Sequence, residues 1–218
     1  ALITLLAITV YWNSLHGKFI WDDRGLIKNN IYIAQQSNIS VFFTHDMNVG
    51  SDSSGQSNYY RPLQMLTNKI DYIFWGLNPF GYHLTNLFFH ILAAFMVFWF
   101  VETLFTNRMV SCVTSLLFVL HPVHVETVSY IAGRSDPLVT FFMLLSLTLY
   151  AKYILRYRRS LYIFSLLAFI LALLSKENSV ILPFLIILLD YVYGRKPTPQ
   201  RLLPFFGLLI GFMFLRHF

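Results

Sequence analysis

Residues 82–105 read YHLTNLFFHILAAFMVFWFVETLF and form the longest apolar stretch of the sequence. It is almost wholly apolar and is longer than the ~20 residues that an α-helix needs to cross a bilayer. Residues 138–155 form a second apolar stretch of nearly that length. Because backbone polar groups in lipid must be satisfied within the segment, both stretches predict transmembrane α-helices.

Composition extends this prediction to the whole chain. Hydrophobic residues make up 56% of the sequence and charged residues 12%, which is about half the charged share of a soluble domain. Shorter apolar runs lie at about 1–15, 110–120, 161–174, 180–193 and 202–215. We therefore predict an all-α fold, a multi-pass transmembrane helical bundle of about seven spans. Runs that end at His121-Pro122 and at Ser175-Lys176-Glu177 predict helices that break before the outer surface.

The charges divide the chain into two sides. Lys and Arg concentrate in short loops between apolar runs: Arg108; Lys152, Arg156, Arg158 and Arg159; and Arg195, Lys196 and Arg201. The positive-inside rule makes these loops cytoplasmic. Residues 16–81, 121–137 and 175–179 then lie outside, with nearly all the acidic residues. Since the inner loops account for much of the +6 net charge, we expect no nucleic-acid partner.

The first outer segment, residues 16–81, contains a predicted amphipathic helix over Pro62–Trp75. Proline suits the first helical position, and Gly76 follows the last. The apolar stripe is Leu63, Leu66, Ile70, Ile73 and Phe74, and the polar residues off that stripe are Gln64, Asn68 and Asp71. This pattern predicts a helix that lies on the membrane and fixes Arg61 at the interface.

Two adjacent carboxylates, Asp22 and Asp23, follow the first apolar run. Ionised groups at the edge of a membrane bundle are costly unless they meet a cation or a proton, so the pair is a candidate catalytic site. A solvated acidic loop is the structural alternative. Arg61, Arg134 and Lys176 fall on the same side, and cations beside carboxylates suit an anionic headgroup and an acid–base step.

Local ion pairs are the structural alternative for the cations. Arg134 has Asp136 nearby in a turn, and Lys176 is followed directly by Glu177. Pairs of this kind would account for these charges without a ligand.

Histidines form a further group of candidates. His83, Asn86 and His90 share one helical face, which must turn away from lipid, and interhelical hydrogen bonds are the structural interpretation. The next outer segment adds His121, His124 and Glu126. A divalent metal is conceivable there, but the spacing matches no strong zinc pattern.

Several motifs occur together along the chain: Trp21-Asp22-Asp23, Tyr60-Arg61-Pro62-Leu63, Leu77-Asn78-Pro79-Phe80-Gly81-Tyr82-His83 with Asn86 and His90, His121-Pro122-Val123-His124-Val125-Glu126, Gly133-Arg134-Ser135-Asp136, and Ser175-Lys176-Glu177. In this order they resemble the amino-terminal membrane part of the transmembrane and tetratricopeptide-repeat O-mannosyltransferases and their prokaryotic relatives. That family belongs to the GT-C-type glycosyltransferases, which use lipid-phosphate-linked sugars. We expect residues 1–218 to be the amino-terminal part of such an enzyme, without its remaining spans and repeat array.

The resemblance implies an inverting transfer of a sugar, such as mannose, from a polyprenyl- or dolichyl-phosphate donor to a protein hydroxyl on the outer face. It maps the acidic residue that acts on the acceptor onto Asp22 or Asp23. If the segment is extended, only one of the two faces the sugar, and Asp22 matches the motif's first acidic position. The residues assigned to substrate binding are Arg61, His83, His121, His124, Glu126, Arg134, Asp136, Lys176 and Glu177. Because Arg and Lys can hold the leaving phosphate, no metal cofactor is required.

Two other functions compete with this interpretation. A membrane transporter or channel subunit would place ionisable groups near the midplane, whereas these charges collect at the outer boundary. A non-catalytic membrane anchor gives no reason for carboxylates and cations to converge on one face. The sequence leaves the membrane open between a prokaryotic plasma membrane and the endoplasmic reticulum.

Overall fold

The computed structural model describes residues 1–35, 39–52 and 57–217, and every regular element in these ranges is helical. The α-helices are α1 (Leu2–Tyr11), α2 (Ile31–Ala34), α3 (Val41–Thr44), α4 (Pro62–Trp75), α5 (Pro79–Phe105), α6 (Arg108–Leu120), α7 (Val125–Ser129), α8 (Ser135–Arg156), α9 (Arg159–Leu173), α10 (Leu182–Val192) and α11 (Pro199–His217). Short 3-10 segments lie at Trp12–His16, Pro122–His124, Ile131–Arg134 and Glu177–Ile181, and a π-helical turn at Arg24–Lys28. The predicted all-α fold is confirmed.

Two helical stretches are long and apolar enough to cross a membrane alone: Pro79–Phe105 and Ile131–Arg156. They contain the two long apolar stretches of the sequence, as predicted. A third candidate combines Arg108–Leu120 with Pro122–Ser129, which meet at a bend of 49°. The bend follows His121, where the sequence predicted a break before proline. The described residues thus give two or three candidate spans, and about seven spans stays a prediction.

Small polar residues let the central helices approach closely. The hydroxyls of Ser146 on α8 and Ser165 on α9 each donate to the other's backbone carbonyl at 2.8 Å. The Ser115 hydroxyl on α6 donates to the Ala94 carbonyl of α5 at 2.6 Å. Since lipid is as apolar as a neighbouring helix, close packing and such hydrogen bonds join helices in a bilayer.

The two ends of the bundle differ in charge. At one end the Tyr193 hydroxyl donates to the Thr103 carbonyl at 3.0 Å, and the Lys152 ammonium lies 3.9 Å from the centre of a Trp99 ring. These contacts bring the three basic loops together, and we call this the basic end. The acidic outer segments gather at the opposite, acidic end, as the orientation prediction requires.

Helix α4 has the predicted bounds, and its polar side faces protein. Its polar side chains are buried, with Gln64 0% and Asp71 4% exposed, whereas Ile73 is 67% exposed. The Gln64 amide donates to the Ala132 carbonyl at 2.8 Å. The polar face contacts protein because buried polar groups need partners there, and the apolar face points outward.

Candidate active site

Asp22 and Asp23 lie on a helical turn and not in an extended segment, so that part of the sequence interpretation was wrong. The turn follows Trp21, whose φ is 44°, and leads into the π-helical turn Arg24–Lys28. Neighbouring side chains on a helix point about 100° apart, so the two carboxylates still diverge. Asp22 is exposed, and Asp23 is fully buried.

Asp23 fastens this turn to the segment before α8. Its Oδ1 accepts from the Ala132 N–H at 2.8 Å, and its Oδ2 accepts from the Ile20 N–H at 3.0 Å. Burial raises the pKa of Asp23 to about 6, although the two amides and the charge of Arg134 act in the opposite direction. Both oxygens are engaged, so Asp23 is better placed to hold the turn than to accept a substrate proton.

Asp22 stands beside Tyr130. Its backbone N–H donates to the Tyr130 hydroxyl oxygen at 3.2 Å, and the rings of Trp21 and Tyr130 meet edge-on with centroids 5.9 Å apart. Burial and the nearby Asp22 carboxylate raise the pKa of Tyr130, so the phenol stays neutral. A solvent-facing carboxylate in this position can accept a proton from an incoming hydroxyl.

Arg134 is completely buried and links its own segment to α4 and α5. Its Nη2 lies 2.5 Å from Oδ2 of Asp71 on α4 and donates to the Tyr82 carbonyl of α5 at 3.0 Å. Its Nε donates to Oδ1 of Asn86 at 2.7 Å. A buried guanidinium needs such a charged partner and several acceptors. With its side chain 0% exposed, Arg134 has no surface to offer a lipid phosphate, unlike the environment that the sequence interpretation assumed.

Arg61 and Lys176 keep part of their side chains exposed, 12% and 18%. The Arg61 Nη2 lies 3.0 Å from Oε2 of Glu177, and its Nη1 donates to the Ser135 hydroxyl at 3.4 Å. The Lys176 Nζ lies 2.5 Å from Oδ1 of Asp136. Both cations therefore reach solvent from the acidic end.

The local ion pairs considered from the sequence are not formed. Arg134 pairs with Asp71 and not with Asp136, and Lys176 pairs with Asp136 and not with Glu177. Arg134 and Asp136 are two positions apart on a helical stretch and do not face each other, and the extended backbone of Lys176 points its side chain away from that of Glu177. Each bridge thus joins two separate segments. We call the assembled group the charged cluster: Asp22, Asp23, Arg61, Asp71, Arg134, Asp136, Lys176 and Glu177.

The α5 face that carries His83 and His90 is buried, as predicted. His83 lies against Gly17, where an added Cβ would be 2.6 Å from its Nε2. The His90 ring lies 5.3 Å from the ring centroids of Tyr11 and of His124. Packing among rings thus explains why His90 is buried. Asn86, which lies between the two histidines on α5, supplies the interhelical hydrogen bond.

The residues at the bend between α6 and α7 are more accessible. His121 and Glu126 are exposed there, and His124 is half-buried. The Nδ1 of His121 accepts from the Val123 N–H at 3.2 Å. In the part of the chain that the structure describes, no group of three or more His, Cys, Asp or Glu side chains could hold a metal ion.

A cavity of about 890 Å³ opens next to Arg61. Its lining includes Tyr59, whose ring centre lies 4.6 Å from the guanidinium carbon of Arg61. Apolar side chains from α10 and α11, including Phe184 and Phe212, form the facing wall. The rest of the lining is partly polar and includes His45, Asp46, Asn58 and Arg216. A cavity with one apolar wall therefore lies beside one cation of the charged cluster.

Three residues of the site were missed by sequence reasoning. Asp71 was noted only as a polar residue off the α4 stripe; a carboxylate on a helix whose apolar face suits lipid was the signal that could have placed it inward. Tyr130 and Ser135 gave no signal, because their contacts with Asp22 and Arg61 depend on how the turn before α8 folds.

Comparison with known proteins supplies independent information. Residues 54–192 match the family described as dolichyl-phosphate-mannose-protein mannosyltransferase. The chain is 30% identical over 216 residues to Protein O-mannosyl-transferase Tmtc1 of Drosophila melanogaster, covering 98% of this chain and 25% of that protein. It is 35% identical over 155 residues to Protein O-mannosyl-transferase TMTC1 of Homo sapiens, covering 70% of this chain and 18% of that protein. The chain thus spans a quarter or less of the length of these two relatives. No solved structure matches significantly.

Proposed function

The chain belongs to the dolichyl-phosphate-mannose-protein mannosyltransferase family, and from this premise we propose that the whole protein transfers mannose from dolichyl phosphate mannose to a hydroxyl of a protein acceptor. The reaction needs a proton acceptor and a site for a leaving phosphate. The observation that carries the proposal is the charged cluster, in which the loop of exposed Asp22 is tied by Asp23 to the turn that leads to the cations.

Asp22 is the proton acceptor in this proposal. The Ser or Thr oxygen of the acceptor attacks the anomeric carbon, and its proton passes to the Asp22 carboxylate. The bond between the anomeric carbon and the phosphate oxygen breaks, and its electron pair stays on dolichyl phosphate. One such displacement inverts the anomeric carbon. The exposure of Asp22 supports this role, and the two amides that occupy Asp23 make that residue a positioning residue.

Arg61 and Lys176 are the proposed contacts of the leaving phosphate. Both are partly exposed, and each forms an ion pair with a carboxylate. An incoming phosphate would therefore bind beside an existing ion pair and not beside an unpaired cation. Arginine suits this task because its planar fork can bind phosphate through two parallel hydrogen bonds. Arg134 is a positioning residue, because it holds α4 and α5 to the turn that carries Ser135 and Asp136.

The histidines and Glu126 have secondary roles in this proposal. His121, His124 and Glu126 line the α6–α7 bend at the acidic end, and we assign them to substrate contacts there. His83 is buried against Gly17 and supports the loop that carries Asp22.

The cavity next to Arg61 is the proposed site of the first isoprenoid units of the donor. Its apolar wall suits a hydrocarbon chain, and its position would leave the phosphate near the Arg61 guanidinium. We further propose that the short helices complete a GT-C-type bundle of about seven spans, with the acidic end lumenal in the endoplasmic reticulum membrane. The animal origin of the two relatives supports this membrane over a prokaryotic one.

A transfer assay tests the proposed function. Membranes that contain the full-length protein are supplied with radiolabelled dolichyl phosphate mannose, and label in protein is counted after lipid extraction. We expect protein labelling that depends on the full-length protein and that guanosine diphosphate mannose does not support when lipid-donor synthesis is blocked. Labelling no greater than in membranes without the protein would refute the proposal.

A further inference from the structure

A second cavity lies at the basic end, away from the charged cluster. Its volume is about 230 Å³, and it is lined by Tyr153, Ile154, Tyr157, Arg195 and Arg201. It sits between the end of α8 and the loop that joins α10 to α11. The proposed transfer reaction makes no use of it.

Two backbone turns hold the wall of this cavity. Helix α8 ends at Tyr157, whose φ of 53° is left-handed, and the Arg195 guanidinium carbon lies 5.0 Å from the centre of the Tyr157 ring. Gly194, with a φ of 63°, ends the turn after α10, and the Arg195 N–H donates to the Asp190 carbonyl at 2.8 Å. The ring and the guanidinium are thereby held together at the cavity wall.

The two arginines of the cavity differ in how they are neutralised. Arg201 is fixed by two side-chain hydrogen bonds. Its Nη1 donates to Oδ1 of Asp190 and its Nε donates to the Thr198 hydroxyl, both at 2.9 Å. Arg195 forms no ion pair within residues 1–35, 39–52 and 57–217. Its surroundings are basic as well, because the basic end holds eight Lys and Arg residues against the carboxylates of Glu102 and Asp190. One guanidinium in an ion pair and one without an ion pair therefore line the same small cavity, and Asp190 lies within electrostatic reach of both.

We propose that this cavity binds the phosphate headgroup of an anionic phospholipid in the leaflet at the basic end. Arg195 would donate two parallel, charge-assisted hydrogen bonds to the phosphate, and Arg201 would lie on the opposite side of the phosphate. The phenol hydroxyls of Tyr153 and Tyr157 add hydrogen-bond donors. Basic pockets between membrane helices are suited to such headgroups.

Size and surroundings favour a lipid over a soluble anion. A cavity of about 230 Å³ is smaller than the ~300–1,000 Å³ that encloses a whole small ligand, but it can take a headgroup. Apolar side chains near the cavity point outward, with Leu155 54%, Tyr191 66% and Val192 60% exposed. They provide a surface for acyl chains attached to a seated phosphate.

Lipid binding by the full-length protein in neutral detergent tests the proposal. The probes are phosphatidate, phosphatidylcholine and inorganic phosphate, each titrated while the thermal unfolding midpoint is followed. Arg195→Gln removes the guanidinium that forms no ion pair, and Arg108→Gln is the matched control, an exposed arginine at the same end that does not line the cavity. Tyr157→Asn is a second variant, which removes the ring at a position where asparagine tolerates a left-handed φ.

We expect phosphatidate to raise the midpoint of the parent protein and of Arg108→Gln, and the other two probes to have little effect. Arg195→Gln should weaken the apparent affinity for phosphatidate about tenfold. Equal weakening by Arg195→Gln and Arg108→Gln would overturn the proposal, since diffuse attraction to the basic end would then explain binding. A midpoint shift with inorganic phosphate as large as that with phosphatidate would also overturn it, in favour of a free-anion site.

Discussion

The Asp23 carboxylate accepts a hydrogen bond from the backbone N–H of Ala132 at 2.8 Å, and this contact joins the loop after α1 to the turn before α8. It places Asp22 beside the turn before α8 while leaving the Asp22 carboxylate exposed. The adjacent carboxylates thus have different environments, and each supports a separate prediction.

The first prediction concerns pH and stability. Burial raises the pKa of Asp23 to about 6 from 3.8. A carboxyl whose pKa is raised on folding adds stability below its unfolded pKa, and that contribution is lost as pH rises through the folded pKa. We therefore expect the parent to lose stability relative to Asp23→Asn by about 2 kcal/mol as the pH rises from about 4 to about 7. Thermal unfolding of the full-length protein in detergent measures this difference, and a constant difference across the range would contradict the account.

The second prediction concerns the buried ion pair of Asp71 and Arg134. Asp71→Ala leaves a fully buried guanidinium without its carboxylate, which should destabilise the protein by about 3–5 kcal/mol. Asp136→Ala is the comparison, because it removes the partner of the more exposed Lys176 and should cost about 1 kcal/mol or less. Unfolding midpoints of the two variants give the ranking. Equal losses would mean that Arg134 is not a structural brace.

The third prediction separates phosphate contact from fold. Arg61→Lys keeps the charge but loses the planar fork that meets Glu177, so we expect the KM for dolichyl phosphate mannose to rise about tenfold. Arg108→Lys at the basic end makes the same chemical change far from the charged cluster and should leave KM unchanged. Steady-state transfer kinetics measure both variants. An unchanged KM in Arg61→Lys would remove Arg61 from the phosphate site.

Much of the architecture was predictable from local patterns. The two long spans, the bounds of α4 and the break at His121-Pro122 follow from apolar length and from proline, which act within one segment. The collection of basic loops at one end follows from charge placement alone. These features do not depend on which helix lies beside which.

The pairing of charges was not predictable in the same way. Arg134 meets Asp71 only because α4 turns its polar face inward, and the sequence pattern of an amphipathic helix is the same for either orientation. The extended conformation assumed for Asp22 and Asp23 failed for a related reason. Their turn is held by Ala132, more than a hundred positions away, and by Ile20.

The most direct test of the account compares Asp22→Asn and Asp23→Asn in single-turnover transfer by the full-length protein. Asp22→Asn keeps the side-chain size but removes the proton acceptor, so we expect the transfer rate to fall about 100- to 10,000-fold, with donor affinity nearly unchanged. Asp23→Asn should cost less at the chemical step and more in stability, because that residue holds the turn. Transfer at the parent rate by Asp22→Asn, in protein that is folded and binds donor, would contradict the assignment of Asp22 as the base.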